Sequence, residues 1–520
     1  MAELLCAIDV GTSAVKATCF APNGMVVATS YREHALRLPA PDRVEQDPTV
    51  LERLLDETVR EAVGSRGADI AAVAVTGARA TFTPVDRAGK PLYPFIIWQD
   101  RRSLAQCERL RVRIPEADYF RLTGLRLEPV AVGSKAVWLR EHEPAIDAAT
   151  WRYWCQQSYF LHRLGAEDPP VDFSMGAYYG LLDLDRQEWS APVLAAFALD
   201  QARLPELRQA GTVVGEVSRD AAAATGLRAG TPLVLPGSDA GCCWLGAGMT
   251  RPGEVAAYVG TAAGIVSYLE SPLRDPDMHL SCLPYTLPRT WTLEGLLFTA
   301  GAAFRWFRDH LAHGEIERAA ALGGNSYDLV TELAASAPAG ADGLLVIPTM
   351  AGAGAPIWEP AARATIVGLG LDHTRASLAR AFMEGVALEL RNAIEEMRRL
   401  GVSITALTLT GGASRSPLWN QIQADVQGVP VITLKTADPT ALGAAVCAGV
   451  SVGVFPDMLA GVTAMSHPER QYEPDRAHHD RYSEALAVYR AILGTFAARD
   501  LHAQIAALAR GTAVRGKDVR

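Results

Sequence analysis

The chain has 520 residues, 49% of them hydrophobic and 21% charged, with a formal net charge of -9. That length exceeds one ordinary core and points to two domains, and the composition is that of a globular chain, which excludes a disordered one. A negative balance is the wrong sign for neutralising a nucleic-acid backbone, so the expected partner is a small molecule and not nucleic acid.

The opening LLCAIDVGTSAVKATCF reads as two strands, 4–10 and 15–20, joined through Gly11, Thr12 and Ser13. Pro22-Asn23-Gly24 then turns the chain into a third strand, MVVATSY, giving an antiparallel meander. From Asp47-Pro48 to about Val63 the apolar residues take helical spacing with Asp47 as the cap, and AAVAVTG (71–77) reads as a buried strand. Strands alternating with helices place the fold in the α/β class.

Further along, YPFIIWQDRRS reads as a strand running into Trp98, Gln99, Asp100, Arg101 and Arg102, which is either a ligand-binding set or a salt-bridge cluster at a strand end. In PLVLPGSDAGCCWLGAG an apolar strand ends at Pro236-Gly237, and Asp239 follows at a helix start, as an N-cap or as a catalytic carboxylate. The stretch VAAYVGTAAGIVSYL from Val255 repeats the grammar of the opening hairpin, with Tyr258 where the first copy has Asp9 and Gly264 or Ile265 where it has Lys16. A duplicated unit gives two related domains, of which only the first keeps the charges. In ALTLTGGASRSPLWNQIQADVQG a strand ends in Gly411-Gly412 and a helix starts around Ser416-Pro417. Glycines without Cβ let a flat ligand lie against the backbone, and they also serve tight turns.

Eight cysteines without a C-x-x-C pair read as buried thiols of a reducing compartment. The start MAELLCAID carries an acid where a signal peptide needs basic residues, and no uncharged stretch is long enough for a membrane helix. A cytoplasmic protein with no membrane partner is the expectation.

Taken in order, Asp-x-Gly-Thr near residue 10, W-x-D-x-R near 100, Gly-x-Asp near 239, Val-Gly-Thr near 260 and the Gly-Gly turn near 411 resemble the FGGY family of carbohydrate kinases. The likeness runs from about residue 4 to about 490 and includes SKAVWLREHEP (134–144), GLRAGTPLVLPGSD (226–239), FRWFRD (304–309) and TALGAAVCAGVSVGVF (440–455). Two positions depart from the family pattern, Ala136 after Lys135 and Ser377 where a polar amide, acid or His is usual. What the resemblance implies is two ribonuclease-H-like domains of the actin and hexokinase type around a central cleft. An N-terminal domain over 1–247 would bind the sugar and phosphates, a C-terminal domain over 248–470 the nucleotide, and a helical segment with a tail would fill 471–520. A homodimer is the expected assembly.

By the same resemblance, Gly11, Thr12, Ser13 and Lys16 would meet the ATP phosphates, Asp9 would hold Mg2+, and Gly260 and Thr261 would cover the phosphates from the second domain. Gly411, Gly412 and Ala413 would border the adenosine, with Gly301 and Arg305 on another side. Asp239 would be the general base. Arg79, Trp98 and Asp100 would read the acceptor, Arg79 bonding an oxygen and Trp98 packing on the carbon chain. Glycerol kinases carry Arg-Glu where this chain has Arg79-Ala80, and xylulose kinases carry Met-His there. DPDMHLSCLPYTLP and GVFPDM look most like the autoinducer-2 kinases. The acceptor is therefore expected to be a short linear polyol, a ketose or a hydroxy-dione. A non-catalytic regulator of the same fold is the rival reading, and it predicts the loss of Asp9 or Asp239, both of which are present.

Overall fold

The computed structural model describes residues 4–509. The chain divides into two compact units. The first takes the residues up to Thr250, Leu269–Thr292 and Lys435–His467; the second takes Arg251–Tyr268, Leu293–Leu434 and the residues from Pro468 onward.

In the first unit β1 (Leu4–Val10), β2 (Ala14–Phe20) and β3 (Val26–Glu33) form the antiparallel meander expected from their alternation. Helix α1 (Pro48–Val63) starts where Asp47 accepts from the Thr49 amide, and it ends at Gly64. Its Leu51, Leu55, Val59 and Val63 recur at helical spacing and pack into one core with Leu4, Cys6, Ile8 and Val10 of β1. Each such buried side chain contributes roughly 1.5–3 kcal/mol, which is what holds the helix on the sheet. Strand β4 (Ile70–Gly77) then pairs parallel to β1.

A smaller five-stranded sheet, in the order Arg37–Ala40, Arg43–Gln46, Phe95–Ile96, Phe82–Val85 and Arg152–Cys155, carries the segment around Trp98. The strand before Trp98 is only Phe95–Ile96, shorter than expected, because the Asp100 amide turns back to the Ile97 carbonyl at 3.1 Å. Helix α2 (Val132–His142) follows Trp98 in the chain, and the closing strands β5 (Thr212–Glu216) and β6 (Pro232–Leu235) lead into α3 (Asp239–Gly246). The first sheet reads β5-β6-β4-β1-β2-β3.

The second unit repeats this order. Strands β7 (Glu254–Val259) and β8 (Ala263–Leu269) form a hairpin, followed by β9 (Trp291–Leu297) and helix α4 (Gly301–Leu311). Helix α5 (Arg375–Arg399) opens on a capping box in which Thr374 and Ser377 satisfy each other, so the departure at Ser377 does capping work. Strand β10 (Ala406–Thr410), helix α6 (Pro417–Gln427) and β11 (Val431–Leu434) follow. The chain then returns to the first unit as α7 (Pro439–Ser451), before β12 (Pro468–Tyr472), α8 (Arg476–Ala498) and α9 (Leu501–Ala509) belong again to the second. The tail expected after residue 509 lies outside the described residues.

The second sheet has seven strands, six of which, in the order β12-β11-β10-β7-β8-β9, match β5-β6-β4-β1-β2-β3, while the seventh, Ser281–Pro284, has no counterpart in the first. Directions match too: β1–β4 and β7–β10 are parallel, β4–β6 and β10–β11 are parallel, and the outer pairs β5–β6 and β11–β12 are antiparallel. The internal repeat read from two short hairpins is therefore a repeat of six strands. Among the described residues no helix is long and apolar enough to cross a membrane, and all eight cysteines are buried.

One buried acid in the second unit makes stability pH-dependent. Glu389 of α5 is buried and accepts a hydrogen bond from the Tyr489 hydroxyl of α8. Burial pushes its carboxyl from 4.5 up to about 7, against the opposing pull of Tyr489. Because the folded value lies above the unfolded one, full stability is present below about 4.5 and falls as the pH rises to about 7; the loss levels off near ~3 kcal/mol. Glu389→Gln keeps an acceptor for Tyr489 and removes that loss. The variant is expected to melt roughly 5–10 °C higher than the parent at pH 8 and to gain little at pH 5. An equal gain at both pH values would contradict this account.

Candidate active site

The register of β1 and β2 sets Asp9 directly opposite Lys16. Between them the turn closes with the Gly11 amide on the Ala14 carbonyl at 2.9 Å. Gln46 donates to the carbonyls of Gly11 at 3.1 Å and Thr12 at 2.9 Å, and its own oxygen accepts from Gln156 at 2.7 Å. The carbonyl face of the turn is thus engaged inside the protein. Lys16 Nζ pairs with Asp438 at 3.0 Å, and Asp438 caps α7 by accepting from the Ala441 amide at 3.1 Å. Neither Gln46 nor Asp438 belongs to the sequence-derived set. For Asp438 the signal was present, since Asp-Pro opens a run of small residues and marks a capped helix start.

Asp9 Oδ1 is buried and has no hydrogen-bond partner. Burial first, then the charges of Asp438 and Asp239, push its carboxyl up to about 8, with Lys16 pulling the other way. A buried carboxylate oxygen without a donor, among further carboxylates, is the donor set a hard divalent cation takes, so these residues fit Mg2+.

Asp239 is the first residue of α3 and not its cap. The cap is Ser238, whose Oγ accepts from the Gly241 amide at 3.1 Å. Asp239 Oδ1 accepts from the Ala240 amide at 2.8 Å and from the Arg79 amide at 3.2 Å. The position is braced from behind: the Ser238 amide donates to Ser174 Oγ at 2.9 Å, and Ser174 Oγ donates to buried Asp172 at 2.6 Å. Burial raises the Asp172 carboxyl to about 6, against its bonds from Ser174 and the charge of Arg79. Half-buried Arg79 lies over the Tyr178 ring at 4.2 Å, a cation–π contact that adds Tyr178 to the residues here. No spacing in the sequence linked residues 79 and 178.

Trp98 is half-buried, and its indole N–H donates to Thr12 Oγ1 at 2.9 Å, which joins the segment near 100 to the hairpin turn. Asp100 is fully buried. Its oxygens accept from the Val44 amide at 2.7 Å, from the Arg102 amide at 3.0 Å and from Arg102 Nε and Nη2 at 2.8 Å each. Arg102 also holds Glu45 at 2.8 Å. The salt-bridge arrangement is what these residues form, and Asp100 anchors in it the end of the turn that carries Trp98.

In the second unit the hairpin turn and the start of α4 meet. The Gly301 amide donates to the Gly260 carbonyl at 2.8 Å, and the Ala300 amide to the Thr261 carbonyl at 3.0 Å. A side chain at Gly301 would strike the Gly260 carbonyl. Gly411 sits at φ 85°, and a Cβ there would meet the backbone of Val259, so the end of β10 also reaches this place. A Cβ at Gly412 would meet open space, Ala413 is buried, and Arg305 is exposed one turn into α4. Tyr258 faces Gly264 across β7 and β8, a hairpin one residue shorter than the first, which replaces the Asp9–Lys16 pair by an uncharged one.

The sequence matches the two domain models of one family, the N-terminal domain over residues 4–246 and the C-terminal domain over 255–452. It is 32% identical over 492 residues to a glycerol kinase of Citrifermentans bemidjiense, covering 92% of this chain and 96% of that one. It is 31% identical over 510 residues to an autoinducer-2 kinase of Yersinia enterocolitica, covering 94% of each. Its fold superposes on a xylulose kinase of Rhodospirillum rubrum with a TM-score of 0.86 and 28% identity, over 95% of this chain and 99% of the other. Both domain models are matched and together they cover well over half of the chain, which belongs to the FGGY family of carbohydrate kinases.

Proposed function

We propose that this ATP-dependent carbohydrate kinase phosphorylates a hydroxyl of a short linear polyol, ketose or hydroxy-dione, with Asp239 as general base. One observation carries the reading: the Arg79 amide donates to Asp239 Oδ1 at 3.2 Å, so the residue that reads the acceptor and the residue that takes its proton share a hydrogen bond. Two amide donors and the start of α3 stabilise negative charge on Asp239. As the acceptor oxygen bonds to the γ-phosphorus, its proton passes to Asp239, the bond to the bridging oxygen breaks, and ADP leaves with that electron pair.

Arg79, held flat by Tyr178, bonds a non-reacting oxygen of the acceptor, and Trp98 packs on the carbon chain. The turn Gly11-Thr12-Ser13 offers donors to the phosphates, and Lys16, oriented by Asp438, adds positive charge. Asp9 would hold Mg2+, which when bound neutralises phosphate charge. In the second unit Gly260 and Thr261 lie along the phosphates, and Gly301, Arg305, Gly411, Gly412 and Ala413 border the nucleoside.

The test is an ATP-consumption screen over glycerol, xylulose, gluconate and the linear dihydroxy-dione, with mass detection of the phosphorylated product. Absence of an ATP-dependent product from glycerol, xylulose and the dione would remove this acceptor class, whether or not gluconate is phosphorylated. On the acceptor so found, Arg79→Ala is expected to raise KM by a factor equivalent to about 1.5–3 kcal/mol and to leave kcat nearly unchanged, because a bond to a non-reacting oxygen is made equally in ground and transition states. A fall in kcat with KM unchanged would place Arg79 at the reacting centre instead.

A further inference from the structure

Lys135 of α2 is completely buried, and its ammonium is held by backbone carbonyls from three separate segments: Ile97 at 2.7 Å, Val130 at 3.0 Å and Ala80 at 3.4 Å. Two of those segments carry the proposed acceptor contacts. Ala80 follows Arg79, whose amide reaches Asp239, and Ile97 precedes Trp98, whose indole reaches Thr12. Ala80 also stands at φ 55°, in the left-handed region that an alanine adopts only when its surroundings hold it there. Burial pulls the Lys135 ammonium down to about 7, with Asp100 raising it and Arg102 lowering it further, so this cation is costly to keep. Apolar residues of similar volume generally serve a buried site at least as well for stability alone.

We propose that Lys135 is a positioning residue, whose ammonium fixes the strained turn at Ala80 and the bend at Ile97 and so aims Arg79 and Trp98 at the acceptor. This rests on the reading of Arg79 and Trp98 as acceptor contacts. A side chain that only filled the core would give the fold its stability and leave acceptor binding alone. A positioning side chain ties acceptor affinity to the geometry of residue 80.

The test compares the full-length protein with Lys135→Met, using whichever of glycerol, xylulose, gluconate or the dihydroxy-dione the parent phosphorylates best. Acceptor KM is expected to rise about tenfold or more, with kcat and the KM for ATP within about threefold of the parent. Amide hydrogen exchange over 78–82 and 97–100 is expected to quicken roughly tenfold, with the β7–β8 hairpin unchanged. Adding Ala80→Gly to Lys135→Met should recover part of the lost acceptor affinity, because glycine adopts positive φ without strain. Unchanged exchange over 78–82 and 97–100 would overturn the proposal, as would equal rises in both KM values with no recovery by glycine. If the methionine variant does not fold, Lys135→Gln, whose shorter side chain offers two N–H donors in place of three, takes its place: a rise in acceptor KM larger than that in the KM for ATP supports the proposal, and equal rises or none overturn it. A parent that phosphorylates none of the four probes would strike the acceptor reading, and exchange would then decide on Lys135 by itself.

Discussion

Asp239→Asn is expected to lower kcat by about two to four orders of magnitude on a confirmed acceptor, while the acceptor KM changes much less. The hydroxyl needs a proton acceptor only as its bond to phosphorus forms, so the carboxylate contributes in the transition state and little before it. Asparagine tests this cleanly. Its Oδ1 can still accept from the Arg79 and Ala240 amides, and the helix cap is Ser238, so neither the loop nor α3 depends on the charge. The expected loss corresponds to roughly 3–5 kcal/mol of transition-state stabilisation, more than a single neutral hydrogen bond supplies. Steady-state kinetics of the variant, with a melting curve to verify folding, makes the measurement. Near-normal turnover in a folded Asp239→Asn protein would rule out this general base.

The one-residue difference between cap and first residue at Ser238-Asp239 shows where sequence reasoning stops. Both serine and aspartate cap helices well, and the choice depends on which backbone leaves the helical region. Here that residue is Ser238, at ψ 165°. The amide of Gly241 turns to it, and Asp239 is left to accept from the chain at residue 79. Local preferences locate the end of β6 and the start of α3; the partner 160 positions away is set by the parallel β4–β6 pairing.

The same contrast runs through the rest of the site. The β1–β2 hairpin was legible because alternation and a Gly-Thr-Ser turn are local, and register then places Asp9 against Lys16. Asp438 was legible as a helix cap and not as the partner of Lys16. It belongs to a segment that leaves the second unit after β11 and packs α7 against α3, where Gly443 lies on the Cys242 carbonyl and Gly246 on that of Pro439. Small residues in TALGAAVCAG announce a closely packed helix without naming its neighbour. Lys135 was legible as a family residue, yet its role required knowing that the carbonyls of residues 80, 97 and 130 converge on one point.

Arg102→Met is expected to destabilise the first unit by about 3–5 kcal/mol, the cost of removing one partner from a buried charge cluster. Arg102 is almost fully buried and joins Asp100 and Glu45, both buried, with its Nη2 at 2.8 Å from each. Its guanidinium also lies 4.8 Å from the Trp138 ring, while Arg43 stacks at 4.9 Å on the same ring. Methionine restores most of the volume and none of the charge, so packing loss contributes little and the two carboxylates carry the effect. Asp100 would keep the Val44 amide on one oxygen and the backbone amide of residue 102 on the other, which satisfies both without neutralising the charge. Because the chain folds as two units, the measurement is urea unfolding followed by a probe confined to the first, such as exchange of the β1 and β4 amides. A loss below about 1 kcal/mol would mean that the pair is as weakly coupled as a surface ion pair, and the anchor of the turn that carries Trp98 would have to lie elsewhere.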